Sequence, residues 1–228
     1  MIISINQPAY LPWLGYFDRI LKSDLHIVLD HVQFEKNSFI NRNKILLGLS
    51  PLWLTIPVST KGKFGDLAIS NLEIDNKLPW KKKHWQSIQH AYAKYDFWKD
   101  LSLELEEHYK KDTEKLIDFI TPIQQLFLNY LGITSRIESS SKFNFKSTKN
   151  DLILEICQFF EAKTYISGPL GRDYLDENQF KKNNIEIIYH DYVHPRYNQK
   201  SSEFIPYLST LDLIMNHGKN SLEVLKNV

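Results

Sequence analysis

One cysteine, Cys157, stands in a chain of 228 residues, so no intramolecular disulfide can form and a Cys-rich zinc site is excluded. A reducing compartment suits such a chain. No segment approaches the roughly 20 apolar residues of a membrane helix. The opening, MIISINQPAYLPW, has neither the basic stretch nor the apolar run of a secretory signal. The expectation is a cytoplasmic protein. Excess charge is lacking too: 28 Lys and Arg against 27 Asp and Glu leave +1, which argues against a broad nucleic-acid footprint or an anionic membrane surface. Walker A, GxGxxG and GxSxG patterns are missing, so P-loop, dinucleotide and serine-hydrolase chemistry have no local support. There is no internal repeat and no low-complexity linker.

What is present is apolar and aromatic. Hydrophobic residues make up 43% of the chain, enough for a sizeable core. Aromatics make up 13%, with five Trp and twelve Tyr. They serve either packing or a stacking surface for a carbohydrate or nucleotide.

Residues 2–5 form an apolar run suited to a buried strand, and 25–29 a second one. Between them Leu14, Phe17 and Leu21 share one face of a helix over 13–22. Strand, loop, helix and strand make a βαβ unit and predict a parallel pair. Residues 45–49 and 52–58 read as strands divided by Ser50-Pro51, and 61–66 as a polar loop. Residues 80–131 read as helical in three pieces, broken near Asp96 and Asp112. Glu104, Glu106 and Glu107 set against Lys110 and Lys111, and the triplet Lys81 to Lys83, read as solvated helix faces. A strand at 136–138 precedes a Ser-rich turn. Thr148 to Asp151 reads as a capping-box variant opening a helix to about Phe160. A strand at 163–166, a loop at 168–171, a short helix at 175–183, a strand at 185–189 and a helical tail from Ser209 complete the pattern. The reading is a single α/β domain over 1–228, its sheet mostly parallel, with a mainly helical insertion at about 80–131.

Ligand sites in open α/β sheets gather at the carboxyl ends of strands, and four clusters fall there or in loops. The first, Gln7 to Phe17, offers Gln7, Tyr10, Trp13 and Tyr16 beside a helix N-terminus able to receive an anion. The second, Asp30 to Asn43, offers Asp30 and His31 as acid or base and Gln33, Asn41, Arg42 and Asn43 as substrate contacts, with Arg42 a phosphate-gripping cation. In the third, Gly168, Gly171, Arg172 and Tyr174 lie in a glycine-bearing turn that resembles an anion cradle. The fourth, His190 to Gln199, offers His190 and Asp191 for acid–base work and His194 and Arg196 for binding. His190 and His194 would pair on a metal only in a helix, and Pro195 opposes one, so no metal is expected. Cys157 sits beside Ile156, Phe159 and Phe160 and reads as core rather than nucleophile.

Taken together the stretches INQPAYLPWLGYFDRI, DHVQFEKNSFINRNK, LWLTIPVSTKGKFG, ISGPLGRDYLD, HPRYNQ and FIPYLSTLDLIMNHG resemble the WbqC-like family. They run in family order across nearly the whole chain. One departure is Asn6, where the family usually carries His. The resemblance implies a place in bacterial O-antigen and related polysaccharide biosynthesis, with glycine or aminoacyl transfer to an amino sugar as the suggested activity. At the level of fold, Pro12 to Tyr16 resembles the P-x-H-x-G-H loop of nucleotidylyltransferase-like proteins, a Rossmann-like class. Trp13 and Tyr16 stand where its histidines would be, which speaks for a nucleotide-shaped site without ordinary nucleotidyl transfer.

The leading expectation is an N-acyltransferase or aminoacyltransferase acting on the amine of a nucleotide-linked amino sugar. Asp30, His31 or His190 would serve as base, the Gly168–Gly171 turn as oxyanion donor, Arg42 and Arg172 as phosphate contacts, and Trp13 and Tyr10 as stacking surfaces. The acyl donor is left open between a coenzyme A thioester, a carrier-protein thioester and an aminoacyl-tRNA. A nucleotide-dependent ligase or nucleotidyltransferase, and a non-catalytic sugar-nucleotide-binding protein, are the alternatives.

Overall fold

The structure is a computed structural model that describes residues 1–60 and 67–226. The expected polar loop at 61–66 lies outside the described residues. The opening is strand β1 (Ile2–Asn6), helix α1 (Leu14–Leu21) and strand β2 (Leu25–Val28), with β1 and β2 parallel in the register Ile3 opposite Leu25 through Asn6 opposite Val28. A hairpin follows, β3 (Arg42–Leu47) and β4 (Ser50–Thr55). Three helices then run in succession, α2 (Trp80–Tyr92), α3 (Trp98–Lys110) and α4 (Leu116–Leu131). The chain returns through β5 (Arg136–Ser139), α5 (Lys149–Phe159), β6 (Thr164–Ser167), α6 (Glu177–Lys182) and β7 (Glu186–Tyr189), and ends in α7 (Thr210–His217) and α8 (Ser221–Lys226).

The main sheet has the order β5-β2-β1-β6-β7, with every pair parallel. This is the arrangement of a Rossmann-like fold. From β1 the chain builds outward to β2; from β6 it builds the other way to β7. The direction reverses between β1 and β6, and a crevice opens at the carboxyl end of such a switch point.

Register explains how the faces are used. Ile3 and Ile5 on β1 stand beside Leu25 and Ile27 on β2, and they pack with Ile153, Ile156 and Cys157 of α5 and Phe180 of α6. Side chains alternate along a strand, so Ser4 and His26 project to the opposite face. There Ser4 Oγ lies 2.8 Å from both His26 Nδ1 and Ser23 Oγ. Burial holds His26 down at about 3, with the Arg19 charge acting in the same direction, and the ring is neutral. The larger core joins α1, the hairpin, α2, α3, α4, α7 and α8. Cys157 is fully buried and burial pushes its thiol up, in keeping with a core residue.

Three local expectations need correction. The hairpin turns at Gly48-Leu49, not at Ser50-Pro51. Gly48 adopts a φ of +63°, which favours glycine, and Pro51 sits inside β4 in a two-stranded sheet with free edges. Residues Arg42 and Asn43 open β3 instead of lying in a loop. Thr148 occupies the cap position of α5 but makes no side-chain capping bond; Glu155 accepts the N–H groups of Lys146 and Ser147 instead.

Candidate functional site

The cleft at the switch point has a volume of about 500 Å³ and is lined by Trp13, Gly15 and Arg19 from the α1 region, Pro169 after β6, and His190 to Val193 and Tyr207 after β7. α1 has no side-chain cap, and of its first N–H groups that of Tyr16 is donated to Trp13 O at 3.0 Å. Its two cleft residues, Gly15 and Arg19, are one turn apart on the same helix face.

Arg19 is the unusual group. It is only 7% exposed. Among the described residues it forms no ion pair, and its Nε is buried without a hydrogen-bond partner. Burial draws its pKa below the ordinary guanidinium value, while the nearby phenols of Tyr165, Tyr16 and Tyr174 and the Asp18 carboxylate act the other way. A Cβ on Gly168 would come within 3.1 Å of Arg19 Nη2, so the absent side chain is what lets the guanidinium reach the end of β6. A buried cation without a partner is costly and calls for an explanation.

Next to it stands a buried acid–base pair. Asp18 Oδ2 lies 2.5 Å from His190 Nε2 and 2.8 Å from Lys22 Nζ. Burial pushes the Asp18 carboxyl up, but the bonds from His190 and Lys22 outweigh that and hold it below the usual range. The carboxylate thus accepts from Nε2–H and fixes the imidazole. In the neutral ring the other nitrogen, Nδ1, then carries the lone pair.

The irregular segment after β7 forms the outer wall. Tyr192 lies on Gly15, where a Cβ would come 2.7 Å from its Cδ1. Tyr192 Oη and His194 Nε2 are buried without partners among the described residues. The segment is pinned at Asp212, which accepts from Tyr197 Oη at 2.9 Å, Gln199 Nε2 at 3.2 Å and Tyr92 Oη at 3.1 Å.

The expected site residues fall into separate places. His190 and Trp13 line the cleft directly, and His194 stands in its outer wall against Tyr192 and Tyr207. Asp191 also lines it, yet its carboxylate receives both Arg172 nitrogens, at 2.8 and 2.7 Å, and Arg172 stacks 4.3 Å over Tyr189. The Arg172 fork is therefore engaged by the chain itself. Tyr174 is exposed near Arg19, and Arg196 is exposed over Phe204. Gln7 is half-buried in the loop after β1.

Other expectations fail on geometry. Tyr10 is not a stacking surface. It is fully buried, with its hydroxyl 2.9 Å from His84 Nδ1 and bonded to Tyr109. Tyr16 is also fully buried, edge-on to Phe17 and His26. The Gly168–Gly171 segment is a 3-10 turn over Pro169–Asp173, not an open cradle. Its Gly171 N–H is donated to Gly168 O at 2.9 Å, and a Cβ on Gly171 would meet Ser167 Oγ. Asp30 is buried, and its carboxylate accepts from Ser140 Oγ, Ser141 N and Ser141 Oγ at 3.0, 2.8 and 2.7 Å. His31 Nδ1 lies 2.6 Å from the same Ser140 Oγ. Gln33 and Asn41 bond backbone at Leu67 and Ile56, and Asn43 bonds backbone at Leu11 and Lys44. Asp30 and His31 follow β2 while His190 and Asp191 follow β7, three strands apart. At about 4.8 Å per strand that is roughly 14 Å, too far for one acid–base site.

The profile of the WbqC-like protein family matches residues 7–224. The chain belongs to the WbqC-like protein family. A further likeness is to Uncharacterized protein Rv1507c of Mycobacterium tuberculosis, 31% identical over 226 residues, which is 98% of this chain and 97% of that protein. No solved structure matches. Among the described residues of this WbqC-like protein no helix is long and apolar enough to cross a membrane. Asn6 ends β1 at the switch point, and its Nδ2 is buried without a partner among the described residues.

Sequence reasoning missed Asp18, Arg19, Tyr192 and Tyr207. A signal for the first two was present. Ser4 and His26 are polar positions in otherwise apolar strands, and they mark a polar face that the charged residues of α1 cover.

Proposed function

We propose that this protein is an N-acyltransferase or aminoacyltransferase acting on the amine of a nucleotide-linked amino sugar in bacterial surface-polysaccharide biosynthesis. One observation carries the reading: a buried guanidinium that forms no ion pair among the described residues shares a cleft with a histidine held by a buried carboxylate. Arg19 and the uncapped start of α1 suit the phosphates of a sugar nucleotide. His190, oriented by Asp18, suits removal of the proton that a sugar amine sheds as it attacks a carbonyl. Trp13 offers an apolar ring face for the sugar or base. The oxyanion that develops is served by Arg19 or the α1 N–H groups, since the Gly171 N–H is already used.

The test is single-turnover transfer from acyl thioesters and aminoacyl donors to nucleotide-linked amino sugars. His190→Gln is expected to lower the rate by about 10²- to 10⁴-fold while leaving sugar-nucleotide affinity within a few fold. Binding without turnover, indifferent to His190→Gln, would replace this reading with a non-catalytic sugar-nucleotide-binding protein. Pyrophosphate release from a nucleoside triphosphate would replace it with a ligase or nucleotidyltransferase.

A further inference from the structure

The aromatic wall of the cleft continues beyond Trp13. The Trp13 ring lies 5.1 Å from Phe39, and Phe39 lies 5.9 Å from Trp53. Phe39 and Trp53 are 39% and 43% exposed. Large rings left this open contribute little to the core, and clustered beside a cleft they mark a binding surface. Two cations accompany them. Lys44 stands directly across the hairpin from Trp53, with Nζ 5.6 Å from its ring centroid, and Arg42 Cζ lies 4.6 Å from the same centroid. Arg42 is steadied by Asn37, whose carbonyl oxygen accepts from Nη2 at 2.7 Å.

This row of rings is fixed to the cleft. Ser209 N donates to Lys44 O at 2.8 Å, and Ser209 also bridges to Trp13. Asn43 Nδ2 donates to Leu11 O at 2.6 Å. The hairpin and the cleft rim are thus tied by one backbone bond and one side-chain bond, which fix the hairpin beside the cleft. Exposed rings flanked by cations suit a nucleobase, which stacks on any π-face, and its phosphates, which take the positive charge.

We propose that Phe39, Trp53, Lys44 and Arg42 form a donor subsite that takes the phosphorylated adenosine end of a coenzyme A-type acyl thioester. The assignment rests on the transferase reading and adds the class of donor to it. Two exposed rings and two cations match one nucleotide, and a net charge of +1 does not suit a folded RNA. With the nucleotide on the hairpin, the thioester arm runs past Trp13 to His190. There the sugar amine attacks the thioester carbonyl, a C–N bond forms as the C–S bond breaks, and the amine proton passes through His190 to the departing thiolate.

The experiment is calorimetric titration of the full chain with adenosine 3′,5′-bisphosphate, with Trp53→Ala and Lys44→Glu as variants. Lys44→Glu keeps every ring and guards against a folding defect in Trp53→Ala. Saturable binding in the wild type, weakened about tenfold in each variant, is expected. Sugar-nucleotide affinity at the cleft should stay within about twofold. Unchanged bisphosphate affinity in both variants, no binding in the wild type, or tighter binding of a single-stranded CCA trinucleotide would each overturn the assignment. Failure of nucleotide-linked amino sugars to bind the wild type would sink the acceptor reading while leaving the bisphosphate result standing, so the two ideas fail separately.

Discussion

Replacing Arg19 with methionine is expected to raise stability and lower ligand affinity together, and the opposed signs are what make it informative. Arg19 is buried and forms no ion pair among the described residues. Folding therefore removes most of its hydration without supplying a carboxylate in exchange. Exchanging buried ionic groups for apolar ones of similar volume is commonly neutral or stabilising, by up to about 4 kcal/mol. In a domain of this size each kcal/mol moves Tm by roughly 2–4 °C, so a rise of up to about 16 °C is expected by calorimetry. In the complex the guanidinium meets an anion, and a charged hydrogen bond contributes about 1.5–3 kcal/mol. Affinity for a nucleotide-linked amino sugar should then fall by roughly 10- to 150-fold. A Tm drop of several degrees with unchanged affinity would refute the reasoning. It would mean that Arg19 is satisfied within the fold and serves packing, not an anion.

Asp212 predicts a pH dependence. Burial pushes its carboxyl up to about 6 against hydrogen bonds from Tyr197, Tyr92 and Gln199. The folded chain thus binds more protons than the unfolded one between about pH 4 and 6, and this group's contribution to stability falls as pH rises through that window, by roughly 3 kcal/mol, then levels off. Denaturant melts of Asp212→Asn should lack that component, and a wild-type-minus-variant difference that is flat in pH would reject it. Gly15→Ala should change stability by no more than about 1 kcal/mol, because the helix gain of alanine offsets displacement of Tyr192, yet weaken ligand binding by reshaping the outer wall; equal loss of both would assign Tyr192 to packing alone. Arg172→Ala should leave Tm and sugar-nucleotide affinity unchanged, since its fork is occupied by Asp191 on the surface; a clear affinity loss by titration would bring the turn after β6 into the site.

The βαβ opening was legible because it rests on signals that survive folding: short apolar runs in β1 and β2, and a helical spacing at Leu14, Phe17 and Leu21. The helices at 80–131 were legible for the same reason, with interruptions at 93–97 and 111–115 around Asp96 and Asp112. The hairpin is less legible because Pro51 reads as a divider, whereas a proline on an exposed edge remains compatible with a strand. The fates of Asp18 and Arg19 were legible only indirectly, through the polar positions Ser4 and His26 in otherwise apolar strands. Charged residues on an amphipathic helix ordinarily face water, and only the sheet's polar centre at Ser4 and His26 gives them a buried place. Tyr10 and Tyr16 misled in the opposite sense. A phenol in a proline-rich loop looks available, but each found a hydrogen-bond partner inside, Tyr10 at His84 and Tyr16 at Gln124.

Two acid–histidine neighbours follow strands at the carboxyl edge, Asp30-His31 after β2 and His190-Asp191 after β7. In sequence they look alike, and the tertiary structure separates them. Ser140 and Ser141 donate three hydrogen bonds to the Asp30 carboxylate, which ties β2 to the turn after β5. His31 leans on the same Ser140, and burial lowers its proton affinity. After β7 the adjacent Asp191 is turned to Arg172, and the acid that meets His190 comes from α1, 172 residues earlier. A histidine oriented by a buried carboxylate and opening onto a cleft can take a proton from a bound amine; one tied to a serine turn outside that cleft cannot reach it. The pH profile of any transfer reaction should therefore change with Asp18→Asn and stay as it is with Asp191→Asn. The reverse result would move the chemistry off the Asp18–His190 pair and onto the surface ion pair beside it.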